Sequence, residues 1–479
     1  MSEERLFNAL VPWISEEASV KACVKAEIAL VVAHLTVRGK LNPALWAELE
    51  KAGAAVLPSE VYAEEEKTRH FIRALVNVLK KKFTGVNQNQ AQNDFRGGAG
   101  LAELVHLGAT SADILDTSLA WRIRGVTREV ILPELKKLEL LLCDFTLKEA
   151  DTPQVGRTHG QHAVPITVGF AMAEYVSRLG KSILQIENLA KNLKGKLSGA
   201  VGAYNATAMI VKDPEELERL YLAELGLEPS EHSTQIVEPE YLLRLLLEFN
   251  TAFGIIANLA DDLRNLQRSE IGELKEGFAP EQVGSSTMPQ KRNPWNSEHI
   301  KSLWKAFMPR VLSFFMDQIS EHQRDLSNSA SQRFIADYIA GFALGVSRMA
   351  EVIRGLGADR ERLYANLYGG DGLNTGGIKG GILAEPAYIL LAESGVSDAH
   401  EVIRRITLNA EREKLNFAEA LAKEKGVLSS IGGKMAELGL VISPDEAAVL
   451  AWFEKPEQYC GLSAKKACNL ASKYRKLFE

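Results

Sequence analysis

Cysteine is scarce in this chain of 479 residues: Cys23, Cys143, Cys460 and Cys468 stand far apart, with no CxxC pair and no Cys/His spacing suited to zinc. That distribution argues against a disulfide framework or a structural metal site and suits the reduced thiols of a cytosolic protein. An excess of positive charge is also missing. Lys and Arg number 56 against 62 Asp and Glu, a net charge of −6, which removes the electrostatic basis for nucleic-acid binding. No uninterrupted apolar run approaches bilayer-spanning length. The opening MSEERLFNAL carries charge at once and lacks the apolar core of a secretion signal. The expected location is the cytoplasm, with neither membrane nor nucleic acid as a partner. Strand-like alternation is scarce, and short repeats and low-complexity tracts are missing.

What the chain has instead is helical periodicity. Hydrophobic content of 46% and charged content of 25% are those of a soluble globular protein, long enough for two to four domains or one large elongated core. From Val168 the apolar positions run through Met172, Val176, Leu179, Ile183, Ile186, Leu189 and Leu193, in steps of three and four that share one helix face. Residues 240–274 predict a second long helix, apolar on more than one side, and residues 112–148 and 296–322 behave similarly. Burial on several faces, in a bundle core or between subunits, explains such helices. The fold expected is all-α with a central bundle of long helices. Polar, Gly-containing stretches at 84–100 and 368–381 divide the chain into three expected domains, 1–107, 108–365 and 366–479.

Several polar clusters stand where helices begin or break. GSSTMPQKRNP, residues 284–294, sets Ser285, Ser286 and Met288 ahead of Lys291, Arg292 and Asn293. Its Gly and Ser permit sharp bends and expose backbone N–H groups, while Pro289 and Pro294 forbid a continuous helix. Such a loop suits an anionic ligand, and it equally suits a solvated turn. Thr110, Ser111 and Asp113 in GATSADILDT make a good helix cap, or a grip for carboxylate or phosphate. GRTHGQHAVP, residues 156–165, packs Arg157, Thr158, His159 and His162 between Gly and Pro, and histidine suits proton transfer near neutrality. A loop pair of histidines is also a common surface feature, and no third metal ligand accompanies it. Arg69 and His70 in EKTRHFIRAL fit a solvated helix face as well as a site. Arg324, Ser329 and Arg333 in EHQRDLSNSASQRF can hold a phosphate or form surface salt bridges. Ser329 and Arg333 are four apart and share a face if that segment is helical. Gln235 precedes the second long helix in STQIVEPEY.

Taken together and in this order, these strings resemble the fumarase/aspartase superfamily. Gly284 to Pro294 match its signature loop GSSxMPxKxNP throughout, HLGATSADILDT and GRTHGQHAVP match two further motifs, and the likeness covers roughly residues 60–410. Within the superfamily the chain is most similar to the adenylosuccinate lyase family, which pairs a TRH segment with GRTHG and carries a later Arg-Asp-x-Ser string like RDLSNSASQR. A C-terminal helical segment containing DAHEVIRR also fits.

The resemblance implies a β-elimination that releases fumarate from a nucleotide substrate. Ser285, or its neighbour Ser286, would be the general base on a mobile loop. Lys291 and Asn293 would stabilise the dianionic aci-carboxylate, and His159 would protonate the leaving nitrogen. Glu298, seven residues beyond Lys291, matches the acidic partner of that histidine. His70 would bind near the phosphate or assist the acid, with Arg69 beside it. Thr110, Ser111, Asp113, Thr158, Met288 and Gln235 would contact or orient substrate, and Arg324, Ser329 and Arg333 match nucleotide and phosphate contacts. The resemblance further implies an elongated three-domain subunit and a homotetramer on a helical core, with each active site shared by three chains. It implies no metal or organic cofactor.

Three positions depart from the family pattern. Phe71 follows His70 where Asp is usual, Pro239 and Glu240 stand where Arg-Asp often follows Gln235, and MSEERLFNAL offers no match to an early Arg-Tyr phosphate contact. Other superfamily members fit less well. Argininosuccinate lyase shares MPQK but usually has Lys at the position of Arg292, and carboxymuconate cycloisomerase shares GSSTMP but typically has Trp at that of His159. A non-catalytic homologue such as a lens crystallin predicts an eroded acid or base, and both are present here.

Overall fold

The computed structural model describes residues 3–83, 100–369 and 378–479. It is mostly helical, with long helices at Glu16–Val37, Val168–Lys191, Glu240–Leu266 and Ile335–Gly355. Ser111–Val126 continues through a π-helical turn, Thr127–Ile131, into Leu132–Lys148, so the expected 112–148 helix is present with one widened turn. Most of the 84–100 boundary and much of the 368–381 boundary lie outside the described residues.

Two long helices end earlier than their apolar pattern implies. The second stops at Leu266, and residues Leu274–Lys275 instead pair with Gly357–Ala358 as a short antiparallel strand. The helix beginning at Trp295 ends at Phe307. A 3₁₀ turn with Pro309 inside it, Met308–Arg310, leads to a separate short helix, Val311–Met316. Proline removes a backbone donor and crowds the preceding turn, which accounts for the break.

The chain forms two compact units. One comprises Met1–Leu135, Lys181–Gly254 and Ser302–Ser347; the other comprises Lys136–Gly180, Ile255–Lys301 and Arg348–Glu479. In the first, the Glu16–Val37 helix starts from Ser15, whose hydroxyl accepts the Ala18 amide at 3.1 Å. From Ala26 to Leu35 it is buried on every side, and it packs against Ser111–Val126 and Pro214–Glu224. Gly125 permits the approach of Trp13, because a Cβ there would lie 1.9 Å from the indole. Phe249, Phe253 and Phe342 pack ring against ring, with centroids 5.1 and 5.6 Å apart, joining the helices that begin at Glu240 and Ile335. The Glu240–Leu266 helix is long and apolar enough to cross a membrane by length and composition, yet Leu245, Phe249, Ala252 and Phe253 are completely buried in this core.

The second unit holds a feature that the search for alternation misses. Pro153–Thr158 (β1) and Gln161–Thr167 (β2) form an antiparallel hairpin. The GRTHGQHAVP segment is therefore a hairpin rather than a loop. Its strands are short and mixed in polarity, with Pro153 at the start of one and Pro165 inside the other, so no clean period of two stands out. The C-terminal helices enclose their own core, in which Leu391, Phe417, Leu421, Ile431 and Val449 are fully buried.

Candidate active site

The tip of the β1–β2 hairpin is a two-residue turn, with Thr158 opposite Gln161 and His159 and Gly160 between them at φ +54° and +75°. Positive φ at both central positions is the geometry that matches the twist of a hairpin. Glycine adopts it freely; histidine does so at a cost, and such strain concentrates at functional positions. His159 is thus presented, exposed, at the apex of a rigid element. Just below the tip, Arg157 pairs with His162 across the hairpin, and its guanidinium forks onto the buried Glu273 carboxylate at 3.0 and 2.6 Å. Gln154 and Asn366 satisfy the same carboxylate at 2.7 and 2.8 Å. Burial, with the nearby Arg157 charge, lowers the basicity of His162 on β2.

The 284–294 segment has no regular secondary structure, and Lys291, Ser286 and Met288 are exposed. It is nonetheless tied at its root. Asn293 Nδ2 donates to the Gly284 carbonyl at 3.0 Å, and Gln267 Nε2 donates to the Arg292 carbonyl at 3.2 Å. A Cβ at Gly284 would meet the Lys291 carbonyl at 2.2 Å, so only glycine closes the loop here. Within it, Ser285 Oγ accepts the Met288 amide at 3.1 Å and the Thr287 amide at 3.4 Å. Two N–H groups thus converge on one hydroxyl oxygen, the arrangement that lowers the cost of negative charge there. The helix that follows is capped by Glu276, which accepts from Ser297 N at 2.9 Å and from Asn296 Nδ2 at 3.1 Å. Glu298 lies exposed in the first turn. Among the described residues, no hydrogen bond joins Glu298 to His159.

In the other unit, His70 and Ser111 line a recess of about 340 Å³, together with Arg73 and His106. His70 does not lie on a helix face. Arg69 takes a left-handed conformation at φ +53°, ending the Pro58–Thr68 helix, and His70 Nδ1 accepts the Arg73 amide at the start of Phe71–Phe83. Thr110 is the cap of the Ser111–Val126 helix, its amide donating to Asp113 Oδ2 at 2.8 Å. Asp113 itself faces inward: fully buried, it pairs with the buried Lys196 ammonium and accepts the Gly199 amide at 3.3 Å. Its carboxylate is directed at the protein, whereas the sequence reading places it toward substrate.

His106 is the clearest omission of the sequence reading. It has φ +62° and its Nδ1 lies 2.7 Å from Oε1 of Glu27, a carboxylate with no exposure. Burial acts to lower its pKa, but the hydrogen bond and charge of Glu27 outweigh it and the pKa is raised. The signals were a lone Glu inside the apolar AEIALVVAHL run, and a histidine just ahead of GATS.

Gln235 sits at the apex of a tight turn closed by a bridge between Ser233 and Val237. Arg324 Nη1 donates to its side-chain oxygen at 3.0 Å, and its own amide donates to the Gln323 carbonyl at 3.3 Å. Ser329 joins Arg324 in lining a neighbouring cavity of about 100 Å³. Ser329 and Arg333 are exposed, on turns and a 3₁₀ segment, Ser331–Phe334, so they do not share an α-helical face.

A helical lyase scaffold with a capped signature loop and a histidine hairpin is the class these features define, and comparison with known proteins agrees. The family described as Lyase matches residues 42–306, and the one described as Adenylosuccinate lyase C-terminal matches residues 320–440. Adenylosuccinate lyase of Pyrococcus abyssi is 32% identical over 86% of this chain and 86% of its own length; that of Archaeoglobus fulgidus is 30% identical over 90% and 91%. The 3-carboxy-cis,cis-muconate lactonizing enzyme of Pseudomonas putida shares the fold, with a TM-score of 0.77 at 24% identity over 98% of this chain and 97% of that one. The chain is a lyase of the fumarase/aspartase superfamily. It belongs to the adenylosuccinate lyase family.

Proposed function

We propose that this protein cleaves adenylosuccinate to AMP and fumarate, and cleaves the succinylated aminoimidazole carboxamide ribotide in the same way. Ser285, as alkoxide, takes the proton beside a succinyl carboxylate. The electron pair collects first on that carboxylate as an aci-dianion, near Lys291 and Asn293, then forms the fumarate double bond as the carbon–nitrogen bond breaks. His159 supplies the proton that leaves with nitrogen. The observation that carries this reading is the pair of amides directed at Ser285 Oγ in a loop matching the superfamily signature throughout. Ser286 and Met288, Thr158, and the recess holding His70 and Ser111, with Arg69 and Thr110 adjacent, receive the succinyl and phosphate ends. Asp113 serves this site by fixing the Thr110–Ser111 helix start. Gln235, Arg324, Ser329 and Arg333 hold the nucleotide.

The proposal includes a cytoplasmic homotetramer whose sites draw on three chains and whose subunit has domains at 1–107, 108–365 and 366–479. Glu298 then meets the histidine of another subunit. Support comes from an apolar series left exposed on one chain: Leu312 at 65%, Ile319 at 79% and Leu326 at 71%, with Phe315 and Phe334. Exposed apolar side chains that form a contiguous patch mark an interaction surface.

The test is product analysis with purified protein and adenylosuccinate, with argininosuccinate and carboxymuconate as parallel substrates. Equimolar AMP and fumarate from adenylosuccinate alone is the expected result. Fumarate from argininosuccinate, or lactone from carboxymuconate, with no AMP from adenylosuccinate, overturns the substrate assignment.

A further inference from the structure

Asp116 is a residue for which the reaction outlined above has no use. It lies one turn beyond Asp113 on the Ser111–Val126 helix, and its carboxylate accepts the Val237 amide at 3.0 Å. Its remaining exposure opens on the 100 Å³ cavity that Arg324, Ser329, Ile236 and Val237 also line. Burial pushes its carboxyl up to about 6, opposed by the Val237 amide and by the Lys196 and Arg324 charges. A carboxylate kept in so unfavourable a place calls for a reason.

The Gln235 turn supplies one. Its two stems are closed by the Ser233–Val237 bridge. Ser233 Oγ lies 2.6 Å from Ser198 Oγ on one side, and Val237 is held by Asp116 on the other. Gln235 at the apex then meets Arg324. Without Asp116 the Val237 amide loses its partner and one stem is freed.

We infer that Asp116 is a positioning residue, clamping the Val237 stem so that Gln235 and Arg324 are set in advance for the nucleotide. The inference rests on the adenylosuccinate reading for its substrate, though the clamp does not. Two measurements keep these apart. Amide hydrogen exchange of a peptide covering residues 233–238 reads the clamp without substrate: Asp116→Ala exchanges about tenfold or more faster, and Asp116→Asn, whose amide oxygen still accepts the Val237 N–H, stays close to wild type. Steady-state kinetics read the function. Asp116→Ala raises KM about tenfold with kcat within about threefold, and Asp116→Asn recovers most of the loss. With a wild type inactive on adenylosuccinate, the kinetics move to the substrate it does turn over and the exchange result stands. Unchanged exchange in Asp116→Ala contradicts the clamp. A loss confined to kcat, or equal in Ala and Asn, contradicts the positioning role. If Asp116→Ala does not fold, Asp116→Ser replaces it with the same two readings.

Discussion

Arg157 forks onto Glu273 across 116 positions of sequence, with Glu273 fully buried and Arg157 partly exposed. Two parallel N–H···O bonds fix the plane of the guanidinium, and Gln154 and Asn366 complete the carboxylate's partners. The arginine of GRTHG therefore anchors the hairpin whose tip carries His159.

Glu273→Gln and Arg157→Lys should expose that role. Glu273→Gln removes the carboxylate charge and leaves Arg157 uncompensated, at an expected cost of about 3 kcal/mol in denaturant unfolding, whereas Arg157→Lys keeps the charge but loses the fork and should cost less. Displacement of His159 by a fraction of an ångström should lower kcat about tenfold or more, with a smaller change in KM. Stability loss without loss of kcat would show that the tip is positioned by other contacts.

The Glu27–His106 pair makes a prediction about protonation. Glu27→Gln removes the charge and weakens the hydrogen bond that chiefly raise the His106 pKa, leaving burial and the Arg73 charge, which lower it, opposed only by the Asp113 charge. The His106 resonance, followed by NMR of ¹³Cε1-labelled histidine, should titrate at lower pH in the variant. The sign for stability follows. With the folded pKa above 6.5, the pair's contribution is complete below that value and is lost as pH rises through the folded pKa. Wild type should therefore lose its advantage over Glu27→Gln toward alkaline pH, measured by unfolding at several pH values.

Glu139 carries a third. It is buried beside Gly180 and Tyr474, and neither carboxyl oxygen has a hydrogen-bond partner among the described residues. Burial pushes its carboxyl up to about 9, so it is neutral near pH 7. Its contribution to stability is greatest below the unfolded value of 4.5 and falls as pH rises through about 9. Glu139→Gln, neutral at every pH, should flatten this alkaline decline. Denaturant midpoints at pH 6 and pH 9.5 check it; parallel curves for the two proteins would place the decline elsewhere.

The helices that build the scaffold were legible because apolar steps of three and four survive in the local sequence, as they do from Val168 to Leu193. The cap at Thr110 was legible for the same local reason. The long-range pairs were not. Asp113 meets Lys196, Glu27 meets His106 and Arg157 meets Glu273 only after the fold brings distant segments together. Even Glu27, conspicuous inside an apolar run, has no local feature that names His106 as its partner. The hairpin was missed because its strands are six and seven residues long and its turn depends on His159 taking a conformation that histidine seldom adopts. Helix ends at Leu266 and Phe307 were overrun because apolar residues continue beyond them, Ile271 and Leu274 in one case and Val311 to Met316 in the other.

The most direct test of the account is turnover of adenylosuccinate by Ser285→Ala, set beside Ser286→Ala and with oligomeric state monitored by sedimentation. Loss of a general base is expected to reduce kcat about 10²- to 10⁴-fold in Ser285→Ala while assembly is unchanged, with Ser286→Ala far less impaired. Near-wild-type turnover in Ser285→Ala would contradict the account, because the converging amides of Thr287 and Met288 would then serve only the turn.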